Sequence, residues 1–386
     1  MAPIWRVRDL NSLASMTFFN TPANQTFQAG RRRIRHPRAT ARTARGEPTG
    51  FPRVDCVEDK YMGHRDIIAI GGSAGAVDAV GRLCRDLPAD LAATLFIVIH
   101  VGARGNNLLA GIFDARSPIA ISTAVDGEIP LPGHAYVAPA GRHLLVIDGV
   151  VRLGGGPREN MARPAIDPLF RSAALSFGPR VIGVVLTGML NDGASGLADI
   201  KRCGGITVVQ NPADACVPDM PWGALHASDV DYRAPLADMA ALLTRLAGEE
   251  AGPPVAVPPD IGTEVGIALG RRSDSEVLAR FSHPVALSCP GCGGVMSQVG
   301  HRPPLRFRCQ VGHAYTAEAL AAEKEGSVDE AVRVALRIME ERAVLTGQMA
   351  DDARRTGRGA AADSYEERLR ESRAHARILR RAMKEP

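Results

Sequence analysis

Short apolar runs alternate with amphipathic stretches from Asp66 onward. The runs lie at 67–70, 95–99, 181–186 and 206–209. Each run is short and continuously apolar, which is typical of a strand buried on both faces. After the first run, apolar residues recur at helical spacing, and residues 194–202 also suggest a helix. The alternation predicts an α/β fold with a doubly wound, mostly parallel sheet of the Rossmann type.

The rest of the chain divides by texture. Residues 119–153 hold short strand-like pieces between Gly-Pro turns, which we expect to form hairpins at one end of the sheet. From Thr316 onward the chain is rich in Ala, Glu, Arg and Leu, with no Pro before Pro386, and predicts two helices broken near 357–359. The expected segments are a leader (1–62), a catalytic domain (63–247), a linker (248–275), a Cys/His module (276–316) and a helical tail (317–386).

The leader differs from the remaining chain in charge. It holds ten Arg and one Lys against five acidic residues, a net charge of +6, whereas the whole chain carries +4. The remaining chain is therefore slightly acidic at −2, and it has no basic stripe interleaved with aromatics, so we expect no nucleic-acid partner. The leader lacks periodicity and is predicted to be disordered. A targeting peptide, a basic tail and translation from Met62 are alternatives.

Composition fits a soluble globular protein, with 45% apolar and 23% charged residues in 386. No apolar run approaches the roughly 18 to 20 residues needed to cross a bilayer, so no membrane insertion is expected. The chain has seven cysteines, an odd number, and no clear secretory signal is recognisable near its start. Reduced cysteines and a cytoplasmic location follow as expectations.

A Gly-Gly-Ser-Ala-Gly turn at 71–75 directly follows the first apolar run. Such a G-x-S-x-G turn between strand and helix lifts a serine hydroxyl above the sheet, which makes Ser73 a candidate nucleophile. On this motif alone, a phosphate-binding loop is an equal alternative. A nucleotide site is disfavoured because no Lys-Ser/Thr follows and no acid stands at a strand end about twenty residues on.

Two further candidates follow other predicted strands. His100 comes directly after the run 95–99, and Asp192 follows the run 181–186 between Asn191 and Gly193. Alone, the histidine could be structural and the aspartate could be a helix N-cap. Because the carboxyl ends of parallel strands share one edge, we expect nucleophile, base and orienting carboxylate to meet there, as acyl transfer requires.

Longer motifs surround these residues. They are Ile-Ala-Ile-Gly-Gly-Ser-Ala-Gly-Ala (68–76), Arg-Pro-Ala-Ile-Asp-Pro-Leu-Phe-Arg-Ser-Ala-Ala (163–174), Leu-Thr-Gly-Met (186–189), Asn-Asp-Gly-Ala (191–194), Val-Gln-Asn-Pro (209–212) and Met-Pro (220–221). Together they resemble the catalytic domain of chemotaxis protein-glutamate methylesterases, from about Asp66 to Leu246. The resemblance implies a Ser73, His100 and Asp192 triad, with an oxyanion hole formed by the backbone N–H groups of Ala74 and Met189.

The implied reaction is hydrolysis of glutamyl γ-methyl esters on methyl-accepting receptors, and glutamine deamidation uses the same steps. The implied partners are those receptors and, through the C-terminal helices, a receptor methyltransferase or another signalling protein. A catalytically quiet signalling scaffold with the same fold is the alternative. The sequence departs from the family at Ala74, often a hydroxylated residue, and at Leu190, often Gly. The leader is also too short and irregular for the usual receiver domain.

The C-terminal cysteines have the spacing of metal ligands. Cys289-Pro-Gly-Cys292 is followed after sixteen residues by Cys309 and then by His313, between strand-like stretches at 295–299 and 305–308. Three thiolates and one imidazole complete a tetrahedral site, which predicts structural zinc and no catalytic cofactor. His301 is a substitute ligand, and an unliganded loop is the alternative. Glycines 291 and 312 are expected to allow the two tight knuckles.

Overall fold

The computed structural model describes residues 63–100, 108–300 and 303–383, together with the backbone of the strand formed by residues 5 and 6. The strands up to residue 234 are β1 (Trp5–Arg6), β2 (Ile67–Gly72), β3 (Thr94–Ile99), β4 (Ala120–Thr123), β5 (His134–Val137), β6 (His143–Ile147), β7 (Val150–Gly154), β8 (Val181–Val185), β9 (Ile206–Gln210) and β10 (Tyr232–Ala234). The helices between and after them are α1 (Ala76–Asp86), α2 (Leu109–Asp114), α3 (Ile166–Phe177), α4 (Ala194–Arg202), α5 (Asp219–Ala227) and α6 (Leu236–Ala247).

Eight strands form the main sheet, in the order β1-β10-β9-β8-β2-β3-β5-β4. All neighbours pair in parallel except β1, which runs antiparallel to β10 at the edge. The prediction of a mostly parallel α/β sheet is confirmed. The expectation for 119–153 is wrong for β4 and β5, which join the main sheet in parallel, and only β6 and β7 form a hairpin. Short apolar runs do not reveal which strand they will pair with.

Apolar residues on alternate positions of each central strand enter two separate cores. Ile68 and Ile70 pack on one side of the sheet, with α1 and α6, whereas Ile67 and Ala69 pack on the other, with α3, α4 and α5. This is the period-two alternation of strand side chains, with both faces covered by helices. Continuous apolar runs are therefore required, as the sequence shows.

One of the expected segments differs in the structure, and another lies almost entirely outside the described residues. The stretch expected to be a linker contains helix α7 (Pro259–Leu269), whose Ile261 and Val265 are buried in the core that includes α3. Apolar residues at helical spacing thus outweigh the surrounding Gly and Pro. The disordered-leader prediction lies outside the described residues, except at β1, which is paired with β10.

The C-terminal module is a four-stranded antiparallel sheet followed by two helices. After the short helix α8 (Ser275–Leu278) come β11 (Ser282–Ser288), β12 (Val295–Val299), β13 (Arg306–Cys309) and β14 (Ala314–Thr316), paired in that order, and then α9 (Ala317–Arg355) and α10 (Gly359–Ala382). The predicted helical tail with a break at 357–359 is confirmed. Among the described helices, none combines the length and apolar character that a membrane crossing needs.

Buried ion pairs join the module to the catalytic domain. The guanidinium of Arg308, on β13, lies 3.0 Å from Glu159 and 2.8 Å from Glu264 on α7. Arg171 of α3 lies 2.7 Å from Glu159, and all four side chains are only 1% exposed. Burial opposes ionisation of Glu159 and Glu264, but the charges of the arginines outweigh it and lower the pKa of both carboxyls.

Candidate active site

The candidate nucleophile lies where the strand order reverses. The chain runs from β2 outward to β3 and returns to β8 on the other side of β2, and ligands bind at such a switch point. Ser73 directly follows β2, and its N–H donates to the carbonyl of Thr187, 3.0 Å away beyond β8. The N–H of His100 donates to the carbonyl of Gly72 over 3.2 Å, which places the histidine beside the serine.

His100 and Asp192 are brought together across the end of β2. The Nε2 atom of His100 lies 2.7 Å from Oδ2 of Asp192, whose side chain is 2% exposed, while that of the histidine is 20% exposed. Because Nε2 faces the carboxylate, Nδ1 is the ring nitrogen turned away from it and available to a second partner. The pair has the geometry of a base with its orienting acid.

Asp192 is held as an anion by several donors. Its carboxylate accepts the N–H of Ile166, at the start of α3, over 2.7 Å and the amide of Asn160 over 2.8 Å. Burial alone would raise the pKa of Asp192, but the hydrogen bond and charge of His100, with these other donors, lower it. The aspartate is thus built to remain ionised beside the histidine.

A second buried carboxyl, Asp167, lies next to Asp192. It accepts the N–H of Gly196 over 2.7 Å and the amide of Asn160 over 3.1 Å. Burial and the neighbouring charge of Asp192 raise the pKa of Asp167 to about 8. Two adjacent carboxylates cannot both ionise easily, so at neutral pH the negative charge is concentrated on Asp192, which faces His100.

The turn that carries Ser73 is tied to the loop after β8. The hydroxyl of Thr187 donates to the carbonyl of Ala74 over 2.9 Å, and a Cβ at Gly188 would lie 2.8 Å from Cβ of Ser73. Only glycine allows this close approach.

The next two residues of the loop are singled out by the sequence. Met189, expected in the oxyanion hole, follows Gly188 and is 60% exposed. Leu190 adopts a left-handed φ of 59°, the strained geometry expected where a leucine occupies a turn position that favours glycine.

A cleft of about 470 Å³ opens next to this loop, between α5 and the module. Leu190 and Asn191 line it, together with Trp222, which stacks on His226 with ring centroids 5.7 Å apart, and Glu318 of α9. Neither Ser73 nor His100 lines the cleft, so it adjoins the triad residues without containing them.

The four predicted metal ligands converge in the C-terminal module. The ligand atoms of Cys289, Cys292, Cys309 and His313 all lie within 4.8 Å of one another. Nδ1 of His313 is 3.7 Å from Sγ of Cys289 and 3.6 Å from Sγ of Cys309, and Sγ of Cys292 is 3.6 Å from that of Cys309. A tetrahedron with zinc–sulfur bonds of about 2.3 Å has edges of about 3.8 Å, so the residues fit zinc.

Glycines surround the four ligands, as expected. The left-handed glycines of the two knuckles are Gly293, with φ 73°, and Gly312, with φ 105°. A Cβ at Gly291 would lie 3.1 Å from the hydroxyl of Tyr315, so this glycine allows close packing and not a left-handed turn. The substitute ligand His301 lies outside the described residues.

Sequence reasoning missed the polar residues around Asp192. Asn160, four residues before the cis peptide at Pro164, has a left-handed φ of 47° and reaches Asp192 from a loop. Asn191 and Thr316 hydrogen-bond each other at the same place although 125 residues separate them. Single polar residues in loops carry no periodic signal, so only tertiary contacts reveal them.

Comparisons with known proteins agree with the motifs. Residues 68–243 match the family model described as CheB methylesterase. A protein-glutamate methylesterase/protein-glutamine glutaminase of Burkholderia lata is 36% identical over 58% of this chain and 63% of its own length. A relative from Xanthomonas euvesicatoria with the same description is 38% identical over 47% of this chain and 52% of its own length. The chain thus spans about half to two thirds of these two relatives.

A shorter relative is covered almost entirely. A putative protein-glutamate methylesterase/protein-glutamine glutaminase of Leptospira interrogans is 39% identical over 47% of this chain and 94% of its own length. Among solved structures, the CheB methylesterase catalytic domain of Thermotoga maritima is 30% identical, with a TM-score of 0.45, over 47% of this chain and 98% of the other. With one relative covered nearly end to end at this identity, the chain belongs to the CheB methylesterase family.

Proposed function

We propose that this protein is a serine esterase that hydrolyses glutamyl γ-methyl esters on methyl-accepting chemotaxis-type receptors. The similarity to protein-glutamate methylesterase/protein-glutamine glutaminase relatives supports the substrate class. The observation that carries the chemistry is the 2.7 Å contact between His100 and the buried, ionised Asp192 at the end of the strand that leads to Ser73. A serine hydroxyl attacks poorly unless a positioned base takes its proton, and this pair supplies that base.

In the proposed mechanism, the Oγ atom of Ser73 attacks the ester carbonyl while His100 accepts its proton through Nδ1. The backbone N–H groups of Ala74 and Met189 stabilise the oxyanion. His100 then donates the proton to the leaving methoxide, so that methanol departs and an acyl-enzyme remains. Water, deprotonated by the same histidine, attacks the acyl carbonyl, and His100 returns the proton to the departing Oγ atom of Ser73. The product is a glutamate side chain on the receptor. With a glutamine substrate the same steps release ammonia.

The proposal includes a structural zinc ion and a cytoplasmic location. One zinc ion would be held by Cys289, Cys292, Cys309 and His313. Four protein ligands fill its tetrahedral coordination sphere, so no coordination position is left for substrate. Catalysis would need no cofactor. Methyl-accepting receptors would be the substrates, and the C-terminal helices would contact a receptor methyltransferase or another signalling protein.

The decisive variant is Ser73→Ala. We expect it to abolish methanol release from methylated receptor and labelling by a fluorophosphonate probe, because both need the serine nucleophile. The losses should exceed a thousandfold, since the acyl-enzyme route is removed. The matched control is Ser176→Ala, which removes a hydroxyl that bonds the carbonyl of Val146 away from the site.

The outcomes separate the alternatives. If the wild-type protein is not labelled by the probe, the catalytically quiet scaffold is correct and the esterase proposal is wrong. If it is labelled but releases no methanol from methylated receptor, the serine hydrolase mechanism stands and the substrate class is wrong.

A further inference from the structure

Two buried asparagines adjoin Asp192, one through a hydrogen bond to its carboxylate and one as its neighbour in the chain. Asn160 donates to Asp192 over 2.8 Å, and Asn191 precedes Asp192 in the chain. Both asparagines are buried, with 7% and 5% of their surfaces exposed. A group that fixes the amide of Asn160 therefore fixes a hydrogen-bond donor of the proposed triad acid, and a group that fixes Asn191 restrains the backbone next to that acid.

Thr316, the last residue of β14 in the Cys/His module, contacts both asparagines. Its N–H donates to Oδ1 of Asn160 over 2.9 Å, and its hydroxyl donates to Oδ1 of Asn191 over 2.5 Å. The same hydroxyl oxygen accepts the N–H of Ala319 over 3.2 Å and so caps α9. Thr316 is 1% exposed, so these bonds are buried on its side.

The contact decides which way the amide of Asn160 points. A backbone N–H can only donate, so it requires the carbonyl oxygen of the amide to face Thr316. The NH₂ group is then directed at Asp192 and Asp167. With the amide reversed, its oxygen would face two carboxyl groups and the negative charge on Asp192 would lose a donor. The module therefore orients the donor of the catalytic carboxylate.

Asn191 is held in the same manner on the other side. Its NH₂ group donates to the carboxylate of Glu318 over 2.7 Å, while its oxygen accepts the hydroxyl of Thr316. Glu318 is an exposed residue of the first turn of α9. Both of these hydrogen bonds of the Asn191 side chain therefore come from the C-terminal part of the protein.

Two of the candidate metal ligands are chain neighbours of residues that contact the loop carrying Asn160. Ala314, adjacent to His313, accepts the N–H of Asn160 over 2.8 Å. Arg308, adjacent to Cys309, forms a buried ion pair with Glu159, the neighbour of Asn160. The folded state of the zinc module is thereby connected to the loop that carries Asn160.

We propose that the Cys/His module is a positioning element of the esterase, in which Thr316 orients Asn160 and Asn191 and thereby holds Asp192 against His100. The inference rests on the proposed Ser73, His100 and Asp192 triad. It makes the catalytic competence of the sheet domain dependent on a module that lies outside it.

The test compares Thr316→Val with Thr316→Ser in the full chain. Valine keeps the shape but removes the hydroxyl bond to Asn191, whereas serine keeps that bond. With p-nitrophenyl acetate as the probe, we expect Thr316→Val to lower kcat about tenfold with KM unchanged, because one buried hydrogen bond is lost. Fluorophosphonate labelling of Ser73 should slow by the same factor, and Thr316→Ser should restore both.

A matched control separates positioning from loss of a helix cap. Asp274 caps α8 in the same part of the chain by accepting the N–H of Val277 over 3.0 Å, far in sequence from either asparagine. Asp274→Ala should leave kcat within twofold of wild type. Zinc content and the thermal midpoint are measured for every variant, so that unfolding is not mistaken for mispositioning.

An exposed position provides a second variant if Thr316→Val does not fold. Glu318→Ala removes the acceptor of Asn191 at the surface, and we expect kcat to fall about threefold with intact zinc content. The inference is wrong if folded Thr316→Val and Glu318→Ala both keep wild-type kcat, or if Asp274→Ala lowers it equally. If the wild-type protein reacts with neither probe, the proposed triad itself is wrong.

Discussion

The sheet domain and the Cys/His module differ in the size of the apolar core that stabilises each of them. The sheet domain is stabilised by two large apolar cores, and its buried His143 makes neutral hydrogen bonds within the domain. The module has a small core around Met296, Phe307 and Tyr315. Its contacts with the sheet domain include the buried ion pairs of Arg308 and the buried hydrogen bonds of Thr316. A large apolar core tolerates the loss of one contact, whereas a small region depends on its metal and its ion pairs.

The largest expected effect separates the two regions by their need for metal. Removal of zinc by a chelator should unfold β11 to β14, because structural zinc contributes about 10 kcal/mol to folding in small metal-binding domains. Hydrogen exchange should then show loss of protection in these strands and retained protection in β2, β3 and β8. Cys216→Ser, at an exposed cysteine outside the cluster, is the control and should leave zinc content unchanged. Equal protection with and without zinc would contradict the comparison.

The next effect tests the charged contact. Arg308→Met removes a fully buried guanidinium and leaves Glu159 and Glu264 with less compensation, so we expect a loss of about 3–5 kcal/mol in the free energy of unfolding of the module. Urea unfolding followed together with zinc release measures it. Arg333→Met, at an exposed ion pair with Glu330 on α9, should cost less than about 1 kcal/mol. Similar losses of unfolding free energy in both variants would show that the buried ion pairs stabilise the module no more than an exposed pair does.

The smallest effect concerns the neutral histidine of the sheet domain. Burial lowers the pKa of His143, whose Nε2 lies 2.9 Å from the carbonyl of Pro157, and its Nδ1 accepts the N–H of Ala165. The unfolded chain therefore binds this proton more readily than the folded chain. The free energy of unfolding should fall as the pH drops below 6.5, by at most about 1.4 kcal/mol per pH unit.

Urea unfolding between pH 7.5 and 5.5 measures this dependence. His143→Gln keeps one donor and one acceptor but cannot be protonated in this range, so its stability should depend less on pH. Zinc ligands also bind protons in acid, but they are common to both proteins and cancel in the difference. Identical pH dependence in the two proteins would show that His143 is not buried as a neutral group.

Much of the fold could be predicted because its signals are local in the chain. The buried strands at 67–70 and 95–99 follow from continuous apolar runs, and the two tail helices follow from a composition rich in Ala, Glu, Arg and Leu without Pro. Strands β4 and β5 could not be assigned to the main sheet, since a short apolar run does not specify its partner. Helix α7 was obscured by the Gly and Pro around it, although it packs in the core beside α3.

The candidate site divides in the same way. Ser73, His100 and Asp192 each follow a recognisable strand, so the chain itself indicates that they share an edge of the sheet. The cysteine spacing likewise indicates the metal cluster. The donors around Asp192 could not be predicted, because Asn160 and Thr316 are single polar residues in different regions, 156 positions apart, and they meet only through the folded module.

The sequence by itself determined the central strands of the sheet, the candidate triad residues and the candidate ligand set, because apolar runs and short motifs are local properties. Only the tertiary structure decided how these parts are connected. The hydrogen bonds from Thr316 to Asn160 and Asn191, and the ion pairs of Arg308, join residues that are remote in the chain. Their energy depends on burial and direction, which no local pattern encodes.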